Sequence, residues 1–194
     1  MRKVIFLSLF FSSTRINAQV IWSAKLGSNL TTLGQNNGPR VSIHLGGSAT
    51  VSLSRNLFLQ PELFYSGQGA YFSNVQNYND FPELAVATIR ANYLNQPILL
   101  KYKLHFGLYA ETGPQWGVLL RATEDDGTKV NNEFTPLDFS WVFGLGFVNV
   151  HQVGFDIRYS MGINDSYRDG NPFGKNTVIQ LDFFFRILKK LHSK

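Results

Sequence analysis

From residue 20 onward the chain alternates apolar and polar residues in long runs, and this period of two restricts the fold more than any other feature. Over Val153–Asn164 the residues Val153, Phe155, Ile157, Tyr159, Met161 and Ile163 share one face. Gly154, Asp156, Arg158, Ser160, Gly162 and Asn164 share the other. Leu137–Val148 repeats the pattern, with Leu137, Phe139, Trp141, Phe143, Leu145 and Phe147 opposite Asp138, Ser140, Val142, Gly144, Gly146 and Val148. In Thr177–Ile187, Ile179, Leu181, Phe183, Phe185 and Ile187 oppose Gln180, Asp182, Phe184 and Arg186. Successive side chains on a strand point to opposite faces, so each run is a strand with one greasy and one polar side. Ile21–Leu30, Val41–Leu53, Leu57–Gly67, Ile89–Lys103 and Phe106–Ala122 follow the same rule. That makes eight strands. Many have the roughly 9–11 residues a tilted transmembrane strand needs.

The connections alternate as well. Ser54-Arg55-Asn56, Leu104-His105 and Asn149–Gln152 are tight, whereas Thr31–Arg40, Gln68–Thr88, Thr123–Thr135 and Asp165–Asn176 are long. Long loops at one rim and short turns at the other describe an outer-membrane barrel with its turns in the periplasm. The expected fold is therefore all-β: an eight-stranded antiparallel up-and-down transmembrane β-barrel with short periplasmic turns and long extracellular loops.

Orientation decides between this and a soluble barrel. The apolar face carries Trp22, Trp116, Trp141 and many phenylalanines, too bulky for an interior that eight strands leave just wide enough for side chains to fill. The polar face is rich in small residues (Gly27, Ser42, Gly46, Ser48, Gly107, Gly144, Gly146, Gly154, Gly162). Only 16% of residues are charged, which is low for a water-facing exterior. The apolar face should meet lipid.

The ends of the chain fit export. Arg2 and Lys3, the apolar run Val4–Phe11 and the small-residue site at Asn17-Ala18-Gln19 have the form of a secretory signal over residues 1–18. Residues 19–188 form the barrel domain and residues 189–194 a basic periplasmic tail. No later apolar run is long enough for a membrane-spanning helix.

The formal charge of +5 does not imply nucleic acid, because Arg2, Lys3 and Arg15 lie in the leader and Lys189, Lys190 and Lys194 in the tail. No basic stripe of the kind that neutralises phosphates remains between them. With no cysteine, disulfides and thiolate metal sites are excluded.

The inward register should collect Lys25, Lys101, Arg121, Arg158 and Arg186 against Glu62, Glu111, Asp138, Asp156 and Asp182, a balance of five to five. Charges withdrawn from water need partners, so these residues are expected to form a lumenal ion-pair network. His44, Gln60, Asn95, Tyr109, Gln115 and Gln180 should supplement it. No catalytic, cofactor or metal constellation emerges. His44 is the one lumenal histidine, near Ser42 and Glu62, and reads as a hydrogen-bonded interior residue. Gly144-Leu145-Gly146 lies inside a strand with no helix after it, unlike a phosphate loop. Glu124-Asp125-Asp126-Gly127 lacks the ligand spacing of a calcium loop and reads as an acidic hairpin tip. Tyr71, Phe72, Tyr78 and Phe81 in the Gln68–Thr88 loop are the candidates for recognition of a partner.

The segment Tyr93-Leu94-Asn95-Gln96-Pro97-Ile98-Leu99-Leu100-Lys101-Tyr102 resembles a signature of the PorT-like outer-membrane β-barrel family. Ala24-Lys25-Leu26-Gly27-Ser28-Asn29-Leu30, Gln60-Pro61-Glu62-Leu63 and Tyr109-Ala110-Glu111-Thr112-Gly113-Pro114 extend the resemblance over essentially the whole mature chain. Gln96 stands where that family usually has an apolar residue, in the lipid-facing register. The resemblance implies a porin-family small barrel in the outer membrane, and one branch of the family is linked to a secretion system. The expected function is a closed, non-enzymatic structural or interaction barrel without a cofactor. The alternatives are a small porin-like channel or transport accessory and an envelope lipid-modifying enzyme. Expected partners are outer-membrane lipid, the barrel assembly machinery and other envelope proteins, with the barrel itself a monomer.

Overall fold

The structure, a computed structural model, describes residues 20–33, 38–78, 81–166 and 175–187. The signal expected over residues 1–18 and the tail expected over residues 189–194 lie outside the described residues. Eight strands run in chain order: β1 (Val20–Leu33), β2 (Gly38–Ser52), β3 (Leu57–Tyr78), β4 (Phe81–Lys103), β5 (Leu108–Thr123), β6 (Leu137–Val148), β7 (Val153–Asp165) and β8 (Lys175–Ile187). Each pairs antiparallel with the next, and β1 pairs with β8 to close the barrel. Closure removes the unpaired edges that lipid cannot satisfy.

The greasy face is outside. Phe155 and Phe183 are each 60% exposed and Trp141 39%, whereas Asp156 and Arg158 on the intervening positions are 2% exposed. A water-soluble barrel would have the reverse arrangement. Gln96 does fall on the outer face, and its carbonyl oxygen accepts the Trp116 indole N–H at 2.6 Å. Internal pairing of that kind is what a polar group in hydrocarbon requires.

The small residues of the inner face make room for large neighbours. A Cβ added at Gly144 would meet the Glu111 and Arg158 side chains, and one at Gly146 would meet the Tyr109 ring and Asp156. Gly146→Val should therefore cost about 1–3 kcal/mol through overpacking. A lowered unfolding midpoint of the refolded barrel checks this, with Val142→Ala as a volume-reducing control at a buried inward position of the same strand. Gly107 departs from the inward expectation. It sits at φ 84° in the turn between β4 and β5, beside Phe106 at φ 58°.

The widest departure from the sequence expectation lies between β3 and β4. The segment Gln68–Thr88 is not a loop: β3 and β4 continue in unbroken register from Gln68↔Ala91 to Tyr78↔Phe81, forming a hairpin that outreaches its neighbours. Pro97 interrupts the β3–β4 pairing without shifting its register, as a proline without an N–H to donate does. The β3–β4 ladder skips its position and resumes in the same register between Pro61↔Ile98 and Phe64↔Asn95.

Candidate functional site

The lumen is built from alternate positions of all eight strands, and Arg158 of β7 lies at its centre. Its guanidinium donates to Glu62 on β3 at 2.7 and 2.8 Å and to Glu111 on β5 at 2.6 Å. The same group lies 3.0 Å from Asp156 and 3.7 Å from Asp182. The forked contact with Glu62 is the bidentate geometry for which a guanidinium is suited.

Lys25 of β1 bridges Glu62, Asp156 and Asp182 at 3.3–3.6 Å. Lys101 of β4 pairs with Glu111 at 3.0 Å and lies 3.9 Å above the Tyr109 ring. The Tyr109 hydroxyl donates to Asp156 at 2.9 Å. Three cations thus interlock with four carboxylates, all withdrawn from solvent.

Amides and hydroxyls extend the cluster toward the long-loop end. His44 contacts Asp182 through Nε2 at 2.5 Å and Asn29 through Nδ1 at 2.7 Å. Asn29 donates to Ser66 and to the Gly67 carbonyl, and Asn176 donates to Gln68. Ser42, which the sequence placed near His44, instead donates to the Gly67 carbonyl. Both ring nitrogens of His44 are occupied without a hydroxyl nucleophile, so this is no hydrolase triad. Asn29, Ser66, Gln68 and Asn176 were not singled out from sequence, although each sits in the inward register.

Lys25, His44, Glu62, Lys101, Glu111, Asp156, Arg158 and Asp182 are therefore brought together. Three further expectations need correction. Arg121 faces outward and is exposed. Between Asn92↔Arg121 and Tyr93↔Leu119 the β5 ladder takes in one extra residue. A one-residue slip exchanges the two faces, so Ala122 rather than Arg121 points inward. Arg186 stands half-buried at the short-turn mouth, its guanidinium 5.9 Å from the Phe184 ring centre, and forms none of the ion pairs. Asp138 is buried, at 4% exposure, but lies apart from every cation of the network.

A second, apolar layer lies toward the long-loop end, against the β3–β4–β5 side of the wall. Val130 and Phe134, from the β5–β6 connection and its short 3₁₀ turn (Asn131–Glu133), pack against Ala70, Ile89, Ala91, Tyr93 and Ala122. Phe134 is completely buried. The only sequence signal for this cap was two apolar residues within an otherwise polar connection. At the nearby hairpin tip, Asp125 accepts the Thr88 amide at 2.9 Å and pairs with Arg90 at 3.3 Å. The hydrogen bonds from Thr88 hold its carboxyl below the usual range. Asp126 accepts from Thr128, as turn chemistry requires. Tyr71 is exposed on β3, while the side chains of Phe72, Tyr78 and Phe81 lie outside the described part of the structure.

No curated protein matches the chain. Among solved structures it is similar to neisserial surface protein A, with 10% identity, 88% of this chain and 97% of that chain covered, and a TM-score of 0.49. It is also similar to the attachment invasion locus protein Ail of Yersinia pestis, with 11% identity, 87% and 97% coverage and a TM-score of 0.47. The N-terminal β-barrel domain of Pseudomonas aeruginosa OprF shows 11% identity, 88% and 99% coverage and a TM-score of 0.44. The family model for the outer membrane protein beta-barrel domain matches residues 12–168. With its closed eight-stranded barrel and lipid-facing apolar surface, the chain belongs to the outer membrane protein beta-barrel domain family and resides in the outer membrane.

Proposed function

We propose that this outer-membrane protein is a closed, non-conducting and non-enzymatic interaction barrel of the PorT-like type. The observation that carries the reading is the filling of the lumen by buried, interlocked side chains. The Arg158-centred charge cluster fills the middle, and Val130 and Phe134 pack over the β3–β4–β5 side of the long-loop end. Eight strands leave little more than side-chain space, and here that space is occupied.

The interaction role is carried by the β3–β4 hairpin. Its pairing with β2 ends at Tyr71 and its pairing with β5 ends at Arg90. Beyond those points Phe72–Tyr78 and Phe81–Ala87 pair only with each other among the described residues. A hairpin with two open edges offers backbone donors and acceptors to an added strand, a common mode of peptide recognition. Partner contact at the extracellular face is the corresponding expectation, with another envelope component or an external ligand as the partner.

Planar-bilayer recording of the refolded mature protein tests the closure. The expected result is a silent bilayer, without steady solute-sized currents. Steady currents that disappear on Glu111→Gln would show a conducting lumen and overturn the reading.

A further inference from the structure

Moving Arg121 to the outside and Arg186 to the mouth leaves the buried lumen with an unequal charge count. Among the described buried residues, Lys25, Lys101 and Arg158 face Glu62, Glu111, Asp138, Asp156 and Asp182, which is three cations against five carboxylates. His44 can contribute at most one further positive charge, and it does so at Asp182. Asp138 therefore remains uncompensated.

It accepts a hydrogen bond from the Asn176 side chain, and its other neighbours in the wall are amides. Asp138 of β6 pairs with Gly117 of β5, and Gly117 pairs with Asn95 of β4, so the three form one inward row. The Asn95 Oδ1 lies directly over Gly117, in the space a Cβ would need. Gln115, one inward position from Gly117, uses its amide nitrogen on Ser140 at 3.1 Å. This leaves the Asp138 Oδ1, the Gln115 Oε1 and both polar atoms of the Asn95 amide buried without a partner. The Asn95 amide is 1% exposed, Gln115 3% and Asp138 4%. Above this row lies the apolar cap, with Tyr93 two positions from Asn95 on the same face of β4.

A buried carboxylate with one amide donor and no cation beside it is strongly unfavourable, and an amide oxygen without a donor adds to the cost. One carboxylate and several amide oxygens match the ligand preference of a hard cation. We propose that Asp138, Asn95 and Gln115 form a binding site for a hard, oxygen-seeking metal cation, held under the cap and apart from the Arg158 cluster. A divalent cation covers the whole shortfall of one or two charges, and bound water completes its coordination.

The test uses the full mature barrel, chelator-treated while unfolded and then refolded in detergent with or without calcium chloride. Magnesium, sodium and potassium chlorides serve as parallel probes at matched ionic strength. At a free cation concentration of a hundred times Kd the unfolding equilibrium should shift by about a hundredfold toward the folded state. Asp138→Asn should abolish that shift and still fold, because it removes the buried charge itself. The double variant Asp125→Asn/Asp126→Asn should retain the shift, which separates the site from the acidic hairpin tip. Absence of a shift with all four cations, or a shift that survives Asp138→Asn, overturns the proposal. So does an infrared band of a protonated carboxyl, present in the cation-loaded protein and lost in Asp138→Asn, because a proton would then balance the charge.

Discussion

Arg158→Met should cost the barrel about 3–5 kcal/mol, the range for breaking a buried ion pair by removing one partner. Arg158 makes contacts of 2.6–2.8 Å with Glu62 and Glu111 and lies near Asp156 and Asp182 as well. Its removal leaves two lysines to compensate four carboxylates in a site closed to solvent. The measurement is the urea midpoint of the refolded protein. The double variant Arg158→Met/Glu62→Gln should recover part of the loss, since it also removes one of the stranded charges. A loss below about 1 kcal/mol, typical of exposed pairs, would show that the lumen is hydrated rather than packed.

The second large effect is expected on the opposite face. Ile157 is 50% exposed on the outer surface, near the middle of β7, next to Arg158 in sequence and on the other side of the wall. Ile157→Arg should cost about 2–4 kcal/mol in a lipid bilayer, whereas Ile163→Arg, near the long-loop end of the same strand, should cost roughly 0–1. Both are read from unfolding of the protein refolded into lipid vesicles. Equal costs at the two positions would mean that hydrocarbon does not surround the barrel. A neutral Ile157→Arg would be more damaging still, because the orientation of every strand follows from the same alternation.

These two neighbours show what could be read along the chain. Alternation is a property of residues i and i+2 on one strand, and it requires no knowledge of the partner strand. It therefore assigned Ile157 to lipid and Arg158 to the lumen, and it did the same for Lys25, Glu62, Lys101, Glu111, Asp156 and Asp182. The Leu137–Val148 strand has the same bounds in the structure as in the sequence reading. Small residues at Gly144 and Gly146 marked the crowded side of the wall for the same local reason.

What the sequence could not show is how the rows align around the cylinder. The one-residue shift in β5 turned Arg121 outward, and nothing in the residues near Leu120 announces it, since the shift arises only when β5 is laid against β4. The β3–β4 hairpin was hidden because Gln68–Thr88 is rich in polar and turn-forming residues, while its pairing depends on contacts between residues up to about twenty positions apart. Val130 and Phe134 formed no periodic pattern, and their burial depends on β3, β4 and β5 meeting to form the wall that receives them. The sequence by itself determined the strands, their two faces and hence a barrel turned outward to lipid, because those follow from local periodicity. Tertiary structure alone decided which charges meet, which one is left over and how the lumen is filled, because those depend on register between strands distant in the chain.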